Sequence, residues 1–323
     1  MQKKRVFLTR TLHDFALKEL RKKYQIEIHS GKIPIPKKIL KNKIKNADGL
    51  ICFPYDKIDE EIMDSAENLK AISTYSVGFD HIDISHAKSK KIRVGYTPEV
   101  LTDATADLAF SLMIDVMRRM TEGDRIIRKG NWRQIYGAYD YVGVDLQGKT
   151  LGILGLGRIG STLAKRAKAF DMKLVYHSRN RISKTREKAL GIKYVSWDKL
   201  VSQSDVISIH VPHTEQTDKL FDAKVFKKMK KSAFLINTAR GKVINQKDLV
   251  LALKKNIIAG AGLDVFEEEP ISNNHPLTKL SNVVLAPHIG SSTKETREEM
   301  ARLTVKNLNL GLLGKKPIYS VGY

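Results

Sequence analysis

The chain has a single cysteine, Cys52, in 323 residues. It can form no internal disulfide, which fits a reducing cytoplasm. No apolar run approaches the ~20 residues of a membrane-spanning helix, and 42% hydrophobic with 28% charged residues is the balance of a globular protein rather than a disordered or membrane one. The opening "MQKKRVFLTR" is basic but offers only Val6, Phe7 and Leu8 before Thr9 and Arg10. A signal peptide needs an apolar stretch of about 7 or more, so Val6–Thr9 is read as a first strand. Acids are scarce too: 35 Asp and Glu face 57 Lys and Arg, a net charge of +22. Such an excess attracts phosphates and raises nucleic-acid binding as a reading. The lysines are scattered, however ("KKYQ", "PKKILKNKIK", "KKMKK", "GKKP"), without interleaved aromatics or a nucleic-acid motif. A solvated basic surface, with no nucleic-acid and no membrane partner, is expected; its field concentrates anionic substrates and cofactors. His81, His86, His177, His210 and His213 fall on separate elements, so no metal site is expected.

What is present is alternation. "RVFLT", "QIEIH", "GLICF", "LKAIST" and "IRVGYT" read as strands separated by helical patterns such as "LHDFALKELRKK". A second series follows "DLQGK": "TLGILGL", "KLVYHS", "KYVS", "DVISIHV", "AFLINT", "AGAGLDV" and "NVVLAP". Strands alternating with helices imply parallel sheets covered on both faces, hence an α/β protein with two such units. Between them, "TDATADLAFSLMIDVMRRM" is apolar nearly all the way round a helix, so burial on every side is expected, between domains or against a partner subunit. "STKETREEMARLTVKNLNLGLLGKKP" reads as a long amphipathic helix from a Ser/Thr cap to a Gly and Pro stop.

"GLGRIG" (Gly155, Gly157, Gly160) follows an apolar strand and opens a helix, the setting of a dinucleotide-binding turn. Gly155 permits the tight turn, Gly157 lets backbone approach a pyrophosphate, and Gly160 lets helix and strand pack closely. The helix N-terminus offers N–H groups and partial positive charge to the phosphates. Such units usually carry an acid roughly 20 residues on, which holds the ribose of NAD. Here the second strand ends Val175, Tyr176, His177, Ser178, Arg179. A carboxylate ~4 Å from a 2′-phosphate would repel each unit charge by up to about 4 kcal/mol at an effective dielectric of 20. With that acid missing, Arg179, Arg181 and the Ser178 hydroxyl offer donors matched to phosphate oxygens. NADP(H) is the expected cofactor, with NAD(H) as the alternative.

Three further residues stand just past strand ends: Arg240 in "LINTARGKV", Glu269 in "LDVFEEEP" and His288 in "LAPHIGSS". Ligands bind at that edge of open α/β sheets. An Arg, a carboxylate and a His suit reduction of a 2-oxo acid. The Arg forks onto the substrate carboxylate and polarises the carbonyl, and the His gives its proton to the carbonyl oxygen as hydride arrives. A neighbouring carboxylate favours the charged imidazolium that carries that proton.

These motifs, with "YSVGFDHID", "HVPHTEQT" and "GAGLDVFEEEP", run over essentially the whole chain, which resembles the D-isomer-specific 2-hydroxyacid dehydrogenases. "TDATAD" and "SRNR" are most similar to the NADPH-preferring glyoxylate/hydroxypyruvate reductases of that family. The resemblance implies two doubly wound parallel-sheet domains with a cleft between them that closes by hinge motion: a flavodoxin-like substrate-binding domain (1–100 and 290–323) and a Rossmann cofactor domain (101–289). It assigns Arg240, Glu269 and His288 the roles argued above, and the backbone N–H groups of Val77 and Gly78 to the substrate carboxylate. Asp264 would meet the nicotinamide carboxamide and Thr105 would lie near the nicotinamide. Leu156, Arg158, Ile159, Asn180, Pro212, Thr238, Ala239 and Gly290 complete the implied cofactor contacts. A homodimer through 102–145 is implied, with the apolar helix at its core. One departure stands out: relatives often carry a Trp shortly before "GxDLxGKT", reaching a neighbouring active site, where this chain has "GAYDYVGVDLQGKT" around Asp140. Trp132 lies earlier. The substrate alternatives are therefore a small 2-oxo acid such as glyoxylate or hydroxypyruvate, or a longer one, as for a 2-ketogluconate-type reductase. An NAD-dependent phosphoglycerate dehydrogenase-like enzyme and, outside enzymes, a dinucleotide-sensing corepressor-like protein also share the motifs.

Overall fold

A computed structural model describes residues 3–322. Among the described residues thirteen strands form two sheets. In chain order they are β1 Arg5–Leu8, β2 Gln25–Ile28, β3 Gly49–Cys52, β4 Ala71–Thr74, β5 Arg93–Gly95, β6 Thr150–Leu154, β7 Lys173–His177, β8 Ile192–Tyr194, β9 Val206–Ile209, β10 Phe234–Asn237, β11 Gly260–Leu263, β12 Val283–Leu285 and β13 Ser320–Val321. The chain divides into two compact units, Met1–Leu101 with Ser291–Tyr323, and Thr102–Gly290.

In the first unit the sheet order is β13-β5-β4-β3-β1-β2. Its first five strands are parallel in the 2-1-3-4-5 order of flavodoxin-like folds. The antiparallel β13 on β5 was not foreseen from the sequence; two residues are too short to carry a periodicity. The first strand starts at Arg5, as in "RVFLT", and ends at Leu8, one residue short of it. β3 and β4 are buried along their whole length, as strands covered on both faces must be. The helix Lys294–Leu312 returns to this sheet. Thr293 caps it by accepting from Thr296 N–H, and Gly314 ends it at φ +74°. Ser73 Oγ donates to Thr304 O at 2.9 Å and Asn307 Nδ2 to Tyr96 O at 2.9 Å, both in the interior.

The second unit has the order β12-β11-β10-β9-β6-β7-β8, all parallel. This is the doubly wound Rossmann arrangement with its reversal between β6 and β9. The helix expected over "TDATADLAFSLMIDVMRRM" runs Thr102–Arg118 and stops there because Arg119 turns left-handed, φ 58°. A second helix, Met120–Arg128, follows. Within the single chain Asp103, Asp107, Ser111 and Arg118 form an exposed stripe, and Asp103 and Asp107 pair with Arg166 on the helix Arg158–Lys168. The small residues Ala106 and Ala109, with Leu112, Met113 and Val116, face the unit's core.

Candidate active site

The three glycines of the turn divide their work as the motif requires. Gly155 sits at φ +90°, and a Cβ there would come within 2.8 Å of His210 O. Gly157 caps the helix Arg158–Lys168, and a Cβ there would meet nothing within 4 Å. A Cβ on Gly160 would overlap Gly155 O. One position is thus conformational, one is open and one is a packing contact. Arg158 is exposed and Ile159 half-buried, while Leu156 is buried with its N–H donated to Ser178 Oγ at 2.8 Å. Ser178 therefore fastens the turn to the end of β7.

Beyond Ser178, Arg179 and Asn180 are exposed. Arg181 is placed differently from expectation. Its Nε and one terminal nitrogen donate to the two oxygens of Glu187, each at 2.8 Å. Glu187 also accepts from Tyr176 Oη at 2.8 Å. The Arg181 fork, then the Tyr176 hydroxyl, pulls the Glu187 carboxyl down to about 2. A fork committed to a carboxylate has little left for a phosphate, so Arg179 is the arginine that can serve one. Glu187 escaped sequence reading because an acid on a Lys-rich helix, Lys184–Leu190, looks solvated.

Past β10 the buried Asn237 shapes the next loop. Its Nδ2 donates to Arg240 O at 2.9 Å and its Oδ1 accepts from Ala239 N at 3.0 Å. Arg240 donates to Ala239 O at 2.8 Å. Thr238 is buried, and its Oγ1 has no hydrogen-bond partner among the described residues. Pro212, in the loop after β9, is exposed, and its carbonyl accepts from Thr217 Oγ1.

Glu269 and His288 are joined directly: Glu269 Oε2 lies 2.7 Å from His288 Nδ1. A carboxylate can only accept, so Nδ1 carries the proton and the tautomer is set. Glu269 is held by Phe266 N–H on Oε1 at 2.9 Å. The pair is only partly exposed, 31% for the His side chain and 16% for the Glu. Asp264, 1% exposed, fastens the segment beyond His288: its oxygens accept from Ile289 N at 2.7 Å and Gly290 N at 2.8 Å. Burial holds its carboxyl above the ordinary aspartate range. Thr105 Oγ1 donates to Gly290 O at 3.2 Å. Thr105, Asp264, Glu269, His288 and Gly290 thus form one hydrogen-bonded cluster beside the Arg240 loop. Asn237, which secures this edge by backbone contacts, could be sensed in sequence only as a polar residue ending an apolar strand, whereas Asp264 was expected at the site.

In the first unit, Val77 and Gly78 lie half-buried in the loop after β4. Ser76 Oγ donates to Gly78 O at 2.6 Å, and Thr97 N to Ser76 O at 2.8 Å. Among the described residues, neither the Val77 nor the Gly78 N–H meets an acceptor.

His210 lies under the glycine turn with Nε2 2.8 Å from Ser208 Oγ, and burial pushes its pKa from 6.5 down to about 4. The unfolded chain therefore binds a proton between these values that the fold rejects. Stability is full above about pH 6.5 and falls as pH drops toward 4, by at most ~3 kcal/mol. Urea denaturation at pH 7.5 and 4.5 should show a smaller pH difference in His210→Gln than in the parent; an equal difference would contradict this.

Among the described residues no group of three or more His, Cys, Asp and Glu side chains could hold a metal ion, and no helix is long and apolar enough to cross a membrane. For a dinucleotide, the open face at Gly157, the left-handed Gly155, the helix start and the orphaned Thr238 hydroxyl all fit.

Residues 110–290 match the model of the D-isomer specific 2-hydroxyacid dehydrogenase NAD binding domain. The chain is 47% identical to the glyoxylate reductase of Thermofilum pendens over 319 residues, covering 98% of this chain and 94% of the relative. It is likewise 47% identical to that of Thermococcus litoralis, covering 98% and 96%. Among solved structures, a protein from Thermus thermophilus superimposes with a TM-score of 0.92 at 44% identity, covering 98% and 99%. An NADPH-dependent glyoxylate/hydroxypyruvate reductase from Sinorhizobium meliloti, in complex with NADP and malonate, gives 0.88 at 30%, covering 99% and 97%. With these matches over nearly the whole chain and the motifs on their strand ends, this chain belongs to the D-isomer specific 2-hydroxyacid dehydrogenase family of oxidoreductases.

Proposed function

We propose that the chain is an NADPH-dependent reductase of small 2-oxo acids, glyoxylate or hydroxypyruvate, giving the D-2-hydroxy acid with His288 as proton donor. The observation that supports this reading is the Glu269–His288 pair, which holds the imidazole through Nδ1. The bound nicotinamide supplies the hydride. The chain's own residues do the rest. The Val77 and Gly78 N–H groups of the first unit, a substrate-binding domain, take the carboxylate. Arg240 polarises the carbonyl, and His288 Nε2 protonates its oxygen. Relatives named glyoxylate reductase, at 41–47% identity, support this substrate class. Assays of glyoxylate, hydroxypyruvate and 2-ketogluconate, each with NADPH and NADH, test it; no turnover of any 2-oxo acid would favour a dinucleotide sensor instead.

Arg179 is assigned to the 2′-phosphate, with Arg181 withdrawn to Glu187. Hydrogen bonds to charged groups contribute about 1.5–3 kcal/mol, so Arg179→Ala should weaken NADPH binding ~10–100-fold and NADH binding by less than about 3-fold. Fluorescence titration of both cofactors reads this, and equal losses would refute the assignment.

A homodimer through 102–145 is supported by the surface of the helix Met120–Arg128 and the segment after it. Met120 and Ile127 are each 60% exposed, Trp132 57%, Ile135 91% and Tyr139 95%. Apolar groups in such a row mark an interaction surface. Sedimentation should give twice the 36.5 kDa chain mass, and a monomer at micromolar concentration would exclude it.

A further inference from the structure

Arg10 follows β1 and Phe53 follows β3. In the first unit's sheet the strand order reverses between these two strands, and ligands of open α/β sheets bind outside the strand ends at such a reversal. Arg10 occupies that point. Its guanidinium carbon lies 5.6 Å from the Phe53 ring centre and 5.5 Å from that of Tyr55. The residue is half-buried, and its Nε is enclosed without a hydrogen-bond partner. Among the described residues no carboxylate or carbonyl accepts from it. Asp56, the acid of the neighbouring loop, is turned instead to Thr9 Oγ1 and to Phe53 N at 2.9 Å. Aromatic faces attract a guanidinium but accept none of its five in-plane donors. A buried donor left unpaired is costly, so this guanidinium is able to take an acceptor oxygen from outside the chain.

The Val77–Gly78 loop stands on the same rim. Tyr75, which opens it, packs on Phe53 with ring centres 5.0 Å apart. β3 lies between β1 and β4, so two strand spacings, roughly 10 Å, separate the main chains at Arg10 and Tyr75. An arginine side chain and a three-carbon acid together span that interval.

We propose that Arg10 is a specificity-determining residue that receives the oxygen on the carbon beyond the ketone, selecting 3-oxygenated 2-oxo acids such as hydroxypyruvate over glyoxylate, which lacks that carbon. This rests on the reading that Val77 and Gly78 take the substrate carboxylate. A site built to hydrogen-bond a substrate oxygen discriminates strongly against the analogue lacking it. Arg10→Met keeps an unbranched chain against the two rings and removes every donor. The ratio of kcat/KM for hydroxypyruvate to that for glyoxylate should fall 10–100-fold, through the KM for hydroxypyruvate, with Arg10→Lys intermediate. An unchanged ratio, or equal losses for both substrates with a lowered Tm, overturns the proposal and makes Arg10 a packing residue. Where Arg10→Met does not fold, the parent enzyme decides: hydroxypyruvate preferred at least 10-fold supports the role, and preference for glyoxylate refutes it. A parent that reduces neither acid refutes the underlying reading instead.

Discussion

His288→Ala should lower kcat for 2-oxo acid reduction by about 10²–10⁴-fold, the range lost when a positioned general acid is removed, and should leave NADPH binding within about twofold. The reasoning begins with the hydrogen bond from Nδ1 to Glu269 Oε2 at 2.7 Å. It sets the tautomer, and Glu269 is itself held by Phe266 N–H. Proton donation occurs in the transition state, so the loss falls on kcat more than on KM. Glu269→Gln gives a graded version. The amide can accept from Nδ1–H or donate to a bare Nδ1, so it permits both tautomers, and an intermediate loss is expected. Single-turnover kinetics with NADPH separate chemistry from product release. A His288→Ala variant within tenfold of the parent in the chemical step would remove the histidine from the mechanism.

The sheets and their edges were legible because buried parallel strands read as continuous apolar runs between turn signals. "FLIN" and "VISI" are buried at every position and stand next to each other in the sheet. The glycine turn was legible to the level of each glycine's role, since positive φ, open approach and close packing are demands only glycine meets together. Pairings between side chains distant in sequence were not legible. Arg181 read as a free cation because nothing local marks Glu187, six residues on and across a turn, as its partner. The linker helix read as buried all round because apolar residues border its polar stripe closely. Asp103 and Asp107 find Arg166 some sixty positions away, which periodicity within one helix cannot register. Arg10 lacked any signal of its own. Its significance comes from the reversal of strand order at β1 and β3, a property of the assembled sheet.

Gly241→Ala should be among the most damaging single-methyl additions in the chain. Gly241 follows Arg240 and begins a 3₁₀ turn in the interior. An added Cβ would overlap the carbonyl carbon and oxygen of Phe266 and lie 2.5 Å from Glu267 N. All three are backbone atoms, so no side chain can swing aside. The strand-end segments bearing Arg240 and Glu269 must separate. Overpacking costs typically 1–3 kcal/mol and more where relaxation is blocked, so a loss of about 3 kcal/mol and a fall in Tm of roughly 6–12 °C are expected for a unit of this size. Activity should fall further than stability at 25 °C suggests, because a displacement near 1 Å at a reacting group costs on the order of 100-fold. Gly157→Ala is the matched control: its Cβ would meet nothing within 4 Å, so Tm should hold while cofactor affinity drops, the methyl standing where the pyrophosphate approaches. Calorimetry and NADPH titration on the two variants should therefore give opposite patterns. A Gly241→Ala protein with parental Tm and kcat would show that the Phe266–Glu267 segment is free to move away from Arg240, and that the close approach at Gly241 does not position the site.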